Sequence, residues 1–196
     1  MIVAQGGEAG GHSGDVGTMV LVPRVVDMAG DTPVVAAGGI ADGRGVAAAF
    51  ALGAQGVSMG TRFLASTQMN VSEDWKQRIV GADAVDAVKA LNSDRVLPPY
   101  SRPGSFGVPR ALRTEFVDTL RDHPERVDPE EAVPRLLAAI RRGRGDEYLP
   151  FTGQSAGLVD DVLPPVTSCA GSCGRRRPSS PRWPTESRCR VARLGA

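Results

Sequence analysis

Pro33-Val34-Val35-Ala36-Ala37-Gly38-Gly39-Ile40-Ala41-Asp42 is the stretch on which the fold turns. Its apolar part, Pro33 to Ala37, has no polar alternation, the mark of a short strand covered on both faces, as in a parallel sheet. It stops at a Gly-Gly turn. Asp42 then stands where an N-cap is wanted, before an Ala-rich run that closes at Leu52-Gly53 with glycine just past the C-cap.

The same grammar extends in both directions. Downstream, Gly56-Val57-Ser58-Met59-Gly60 reads as another strand, and Thr61-Arg62-Phe63-Leu64 leads out of it. Upstream, Ile2-Val3-Ala4 is a clipped apolar run ending at Gln5 and a glycine-rich turn. Gly17 to Met28 carries Met19, Val20, Val22, Val25, Val26 and Met28, which suits a helix with an apolar face; Pro23 must sit near its start or kink it. Strands alternating with helices at this pitch imply parallel strands joined by right-handed crossovers, an α/β architecture. Three strands are too few to close a barrel or to bury a doubly wound sheet.

Residues 66–164 are less regular. Ser72 caps a helix through Val80, Ala82 to Tyr100 reads as extended before a turn at Pro98-Pro99, and Thr114 caps Glu115 to Arg121. Asp128-Pro129-Glu130-Glu131 combines an N-cap, proline at N1 and a carboxylate at N3, opening a helix to Arg141-Arg142-Gly143. From Pro165 the chain turns to Arg, Ser, Pro, Gly and Cys without an apolar period, and disorder is expected. The division is therefore a patterned domain over 1–164 and a tail over 165–196.

A net charge of +1 gives no reason to invoke nucleic acid or an anionic membrane. No stretch approaches the roughly 18 apolar residues of a membrane span, and the start lacks a signal peptide's basic and apolar regions, so the cytoplasm is the expected compartment. Cys169, Cys173 and Cys189 all fall in the tail; a Cys-x3-Cys pair without a nearby His is a poor metal site, and none is expected.

Chemistry concentrates at strand ends. Gln5-Gly6-Gly7-Glu8-Ala9-Gly10-Gly11-His12 follows the first strand. Glycines there let backbone approach a flat ligand, and the Gln5 amide both donates and accepts. An isolated loop histidine is ordinarily a surface residue, but His12 sits among glycines at a strand end, and it is the natural group for proton transfer near neutral pH. Gly38-Gly39-Ile40 and Gly60-Thr61, one βα unit apart, offer backbone N–H groups beside helix starts, a setting for an anion. His123 reads as the end of a surface helix, and Arg175-Arg176-Arg177 as a solvated basic tract.

The Gln-Gly-x-Glu-Ala-Gly-Gly-His stretch resembles the signature of nitronate monooxygenases, shared closely with the flavin-type enoyl-ACP reductases. Pro33 to Phe63 is similar to the family's Gly-Gly-Ile and Gly-Thr-Arg-Phe segment. Pro109-Arg110-Ala111-Leu112-Arg113 and Gly153-Gln154-Ser155-Ala156-Gly157-Leu158 look like its later landmarks. The resemblance covers residues 1–164 and implies the C-terminal part of a (β/α)8 TIM barrel: about three βα units and a helical region. It implies FMN as cofactor, with Gln5 and Gly10 on the flavin and Gly39, Ser58, Met59, Gly60 and Thr61 on its phosphate. His12 would be the catalytic residue. The implied reaction is oxidation of an alkyl nitronate with O2. An enoyl-ACP or quinone reductase of the same superfamily is the alternative. The family has further βα units upstream of these motifs and a helix after Leu163-Pro164. Activity impaired by truncation, an out-of-frame tail, an inactive half-barrel and self-association through exposed strand edges are the corresponding expectations.

Overall fold

The computed structural model describes residues 1–97 and 107–170. The turn expected at Pro98-Pro99 and the tail from residue 171 onward lie outside the described residues. Two three-stranded sheets organise the rest.

The first sheet is parallel, in the order β1 (Ile2–Gln5), β3 (Val34–Ala37), β4 (Gly56–Ser58). Helix α1 (Thr18–Ala29) crosses from β1 to β3, and α2 (Gly43–Ala51) from β3 to β4. The register aligns Val3 with Val35 and Gly56, and Gln5 with Ala37 and Ser58. Strand alternation therefore puts Ala4, Val34 and Ala36 on the helical side, where they bury against Val22 and Ala49. Fully burying Val22 and Val34, neither of which retains solvent exposure, contributes about 1.5–3 kcal/mol each. The opposite side carries Gln5, Ala37 and Ser58 into a cavity.

Local signals place these elements. Asp42 caps α2 through its side chain, which accepts from the N–H groups of Arg44 and Gly45. Burial pushes the Asp42 carboxyl up, but the Arg44 side chain and these two N–H donors outweigh it and hold it below its ordinary value. Pro23 lies in the second turn of α1.

The second sheet is antiparallel, in the order β2 (Gly11–Ser13), β6 (Val108–Leu112), β5 (Ala87–Lys89). It corrects two readings. His12 belongs to a short strand paired with Pro109 rather than to an irregular loop. Residues 82–97 are not continuously extended: single 3-10 turns at 84–86 and 93–95 flank β5. Long-range pairing, which local composition does not encode, decides the first; the second is local, a capping box between Asp83 and Asp86 and a left-handed turn at Asn92.

Helices α3 (Thr61–Leu64), α4 (Glu73–Gly81), α5 (Glu115–Asp122) and α6 (Pro129–Arg141) complete the framework. Ser72, Thr114 and Asp128 cap the last three as their residue types imply. A final helix, α7 (Pro165–Ala170), carries helical order past Pro164, where the sequence reading ended it. Among the described residues no helix is long and apolar enough to cross a membrane.

Candidate active site

The turn after β1 is pinned at its centre by Glu8. Its carboxylate accepts from the Thr18 N–H at 3.0 Å and from the Thr18 hydroxyl at 2.8 Å, so an acidic side chain closes the N-terminus of α1, where the helix dipole favours it. The Thr18 hydroxyl also lies 3.0 Å from the Gly38 carbonyl oxygen, tying the first strand-end turn to the second. Glu8 is thus an organiser of the turn rather than a reactive group.

Two glycines are there because backbone passes too close for a side chain. A Cβ at Gly10 would lie 2.7 Å from the Gly153 nitrogen and 2.8 Å from the Thr152 carbonyl carbon. This crossing brings the 151–155 segment to the site, and the Gln154 N–H donates to the Glu8 carbonyl at 2.9 Å. At Gly38, φ is +96°, a conformation L side chains rarely adopt, and a Cβ would meet the Gly6 carbonyl oxygen at 3.0 Å.

The three turns surround one cavity of about 500 Å³. Gln5, Gly10, Gly39, Ser58, Met59, Gly60 and Thr61, drawn from three separate strand ends, all line it. On one side are backbone donors: the N–H groups of Gly39 and Ile40, and those of Thr61 and Arg62 at the start of α3, have no acceptor among the described residues, whereas those of Phe63 and Leu64 donate to the Gly60 carbonyl. The Thr61 hydroxyl is engaged within the protein, accepting from the Gly153 N–H at 2.9 Å, so what Thr61 offers a ligand is chiefly its backbone. Phe63, Leu64, Met69, Trp75 and Phe151 form an apolar wall. The Trp75 indole N–H donates to the buried Thr152 hydroxyl at 3.0 Å, which fixes the ring.

His12 stands apart from the other expected residues. It is exposed and does not line the cavity; its ring centroid lies 6.5 Å from that of Phe151, which does. The imidazole is at the rim. Gln5 connects the two, since its side-chain amide donates to the His12 carbonyl at 2.6 Å.

Arg62 has a structural place. Its buried guanidinium donates to the Asp161 carboxylate at 3.0 Å and to the Ala65 and Asp161 carbonyls, so it anchors α3 to the chain's later part. Trp75 and Phe151 were missed by the sequence reading: each sits in a segment whose local pattern says only helix or turn. Gly153 gave a signal, as part of the Gly153-Gln154 landmark.

The family model for nitronate monooxygenase matches residues 1–167. A Mycobacterium tuberculosis protein named as a monooxygenase is 45% identical over 175 residues, an overlap of 83% of this chain and 44% of that protein. The structure of FabK from Thermotoga maritima superposes with a TM-score of 0.67 at 41% identity, covering 83% of this chain and 49% of that one. A nitroalkane oxidase from Streptomyces ansochromogenes gives 0.63 at 27% identity, covering 87% and 50%. The chain spans about half the length of the relatives it matches. With the signature residues, the family match over nearly all the described chain and this shared mixed α/β fold, the chain belongs to the nitronate monooxygenase family.

Proposed function

We propose that this chain supplies the phosphate turns and the histidine-bearing strand of an FMN-dependent oxidoreductase that oxidises alkyl nitronates with O2. The observation that carries the reading is convergence: seven residues on three strand ends, singled out by the motif, line one cavity. The cavity suits FMN in kind. Open N–H groups at Gly39, Ile40 and the start of α3 match a phosphate, and at Gly11 and Gly60, both on the cavity wall, a Cβ would meet nothing within 4 Å, which leaves room for close approach of a ligand to backbone. Gln5 and Gly10 would meet the flavin itself.

When bound, FMN supplies the electron-accepting chemistry. The chain's own residues do the rest. Gln5 holds the His12 carbonyl and so couples the cavity floor to the rim. His12, at that rim, takes or places a proton on a small anionic substrate. Phe151 and Trp75 exclude water from the apolar side.

In fold terms, we read the three βα units as the C-terminal part of a (β/α)8 barrel. β1 pairs with β3 alone, leaving its other edge without a partner among the described residues. Beside it Ile2, Val3, Val16, Met19 and Val20 are exposed, an apolar band that a further βα unit would cover. Left uncovered, the same band would favour self-association.

One second reading has an observation behind it. The apolar wall of Phe63, Leu64, Met69 and Trp75 accommodates an acyl chain better than a small nitronate requires, which favours an enoyl-thioester reductase of the same superfamily. Flavin titration followed by turnover of propionate 3-nitronate, against NAD(P)H-dependent enoyl reduction, decides between them. Faster enoyl reduction would replace the first reading with the second. A chain that takes up no flavin, alone or with an upstream half-barrel added in trans, would sink both.

A further inference from the structure

The strand that carries His12 is held in place from outside by side chains, and Lys89 dominates. β2 has three residues and one neighbouring strand, β6. Such a strand is weakly fixed by its ladder alone. The Lys89 ammonium, projecting from β5, donates to the Ser13 carbonyl at 2.7 Å, the Ser13 hydroxyl at 2.9 Å, the Gly14 carbonyl at 3.0 Å and the Val108 carbonyl at 3.1 Å. Asp15 lies 3.8 Å away. An ammonium has three N–H bonds, so four oxygens within hydrogen-bond reach form a seat for a cation more than a set of single partners.

Nearby groups act on the same loop. Arg110 donates to the Gly7 carbonyl at 2.9 and 3.1 Å and to Ala87 at 2.6 Å, and Gln5 takes the carbonyl of His12. The carbonyls of Gly7, His12, Ser13 and Gly14 are therefore each gripped by a side chain. Among the described residues, only the Lys89 side chain joins the residues just past His12 to both of the other strands of the sheet, β5 and β6. Burial and the neighbouring Arg110 charge work against its ammonium, and Asp15 partly offsets them. An apolar side chain in its place would remove the donors from a seat that stays lined with oxygen.

We propose that Lys89 is a positioning residue for His12: a tethered cation in an all-oxygen seat that sets the direction of β2 and thereby the reach of the imidazole over the cavity rim. The proposal rests on the reading of His12 as the proton-transfer group. Lys89 itself stays away from the cavity, whose wall it does not join. Its grip on Ser13 and Gly14 is what transmits the effect.

The test uses the full chain carrying Lys89→Ala or Lys89→Met, with amide hydrogen exchange first because it needs no cofactor. Removal of the ammonium is expected to speed exchange in β2 by roughly tenfold or more while β3 amides keep their protection. Methylammonium should restore protection in Lys89→Ala, where the seat is vacated, and not in Lys89→Met, where methyl groups fill it. In the flavin-loaded protein, with the upstream half supplied if binding needs it, kcat should fall by roughly 10²-fold with KM unchanged, as misplacement of a reacting group by about 1 Å produces. That loss should vanish when His12→Ala is already present, since residues acting through one group are non-additive. Unchanged exchange in β2 overturns the proposal. So does exchange that rises equally in both sheets, or a Lys89 effect that adds fully to that of His12→Ala. A His12→Ala protein with unaltered turnover would instead refute the role given to His12, and the exchange measurement keeps that failure separate from failure of the clamp.

Discussion

The parallel and antiparallel sheets of this chain are assembled on different plans. β1, β3 and β4 lie within residues 2–58, and α1 and α2, which connect them, meet β1 and β3 through small aliphatic side chains. β2, β5 and β6 come from residues 11–13, 87–89 and 108–112. Much of what fixes β2 is polar: an ammonium, a guanidinium and an amide on backbone carbonyls. A βαβ unit forms from neighbours in sequence, whereas an antiparallel sheet drawn from distant segments must first close long loops. The cavity lies at the junction. Glycine turns of the first sheet line one side of it, and Phe151, bridged to Ala111 of the second, lines it beside His12.

The harshest way to break this junction is Gly10→Val. A branched side chain cannot enter a gap where its first carbon would already lie 2.7 Å from backbone. Overpacking of this sort costs about 1–3 kcal/mol or more, and the 151–155 segment is expected to separate from the Glu8 turn, with Trp75 fluorescence shifting as its Thr152 partner moves. An unshifted spectrum and an unchanged melting temperature would show that the two sheets do not depend on this crossing.

His12→Ala probes the second sheet's contribution alone. With flavin content unchanged, turnover should drop by roughly 10²–10⁴-fold if the imidazole moves a proton. Loss of bound flavin instead would make His12 part of the fold of the turn. Gly39→Val, on the parallel side, should act oppositely. Its Cβ meets nothing closer than 3.6 Å, so the protein has space for it, but φ is +71° and the left-handed conformation costs about 1–2 kcal/mol. FMN affinity should fall while the turnover of whatever enzyme remains loaded changes little; full affinity would place the phosphate elsewhere.

The smallest effect is electrostatic and stays within the first sheet. Asp42→Ala removes the cap of α2 and should cost about 1 kcal/mol at neutral pH. Because the folded state holds the Asp42 carboxyl below its ordinary value, its contribution is present above the unfolded pKa of about 3.9 and is lost as pH falls through the lower folded one. Denaturation curves of the two proteins should therefore converge in acid. A gap that persists below that range would mean the cap acts by packing alone.

Much of the cavity was legible beforehand, and particular residues show why. Gln5, Gly10, Gly39, Gly60 and Thr61 sit at ends of strands that local pattern already marked, so naming the strand ends named the turns. Trp75 and Phe151 were not legible, because an indole in an amphipathic helix and a phenyl ring between Pro150 and Thr152 give no sign of facing a site dozens of residues away. The strand status of His12 was hidden for the same reason: Gly-His-Ser has no strand pattern of its own, and only Pro109 across from it makes one.

Sequence by itself determined the parallel direction of β1, β3 and β4, the helices between them with the Asp42 cap, and the glycine turns, because each follows from contacts among near neighbours and from the conformations glycine alone tolerates. The tertiary structure decided the rest. It placed the Thr61 hydroxyl on Gly153 rather than toward a ligand, set His12 at the rim instead of in the wall, and brought Lys89 beneath the strand that carries it. Each of these depends on a hydrogen bond or approach between groups that are separated by tens of residues. Such partners are chosen by how the whole chain packs, and no local pattern contains that choice.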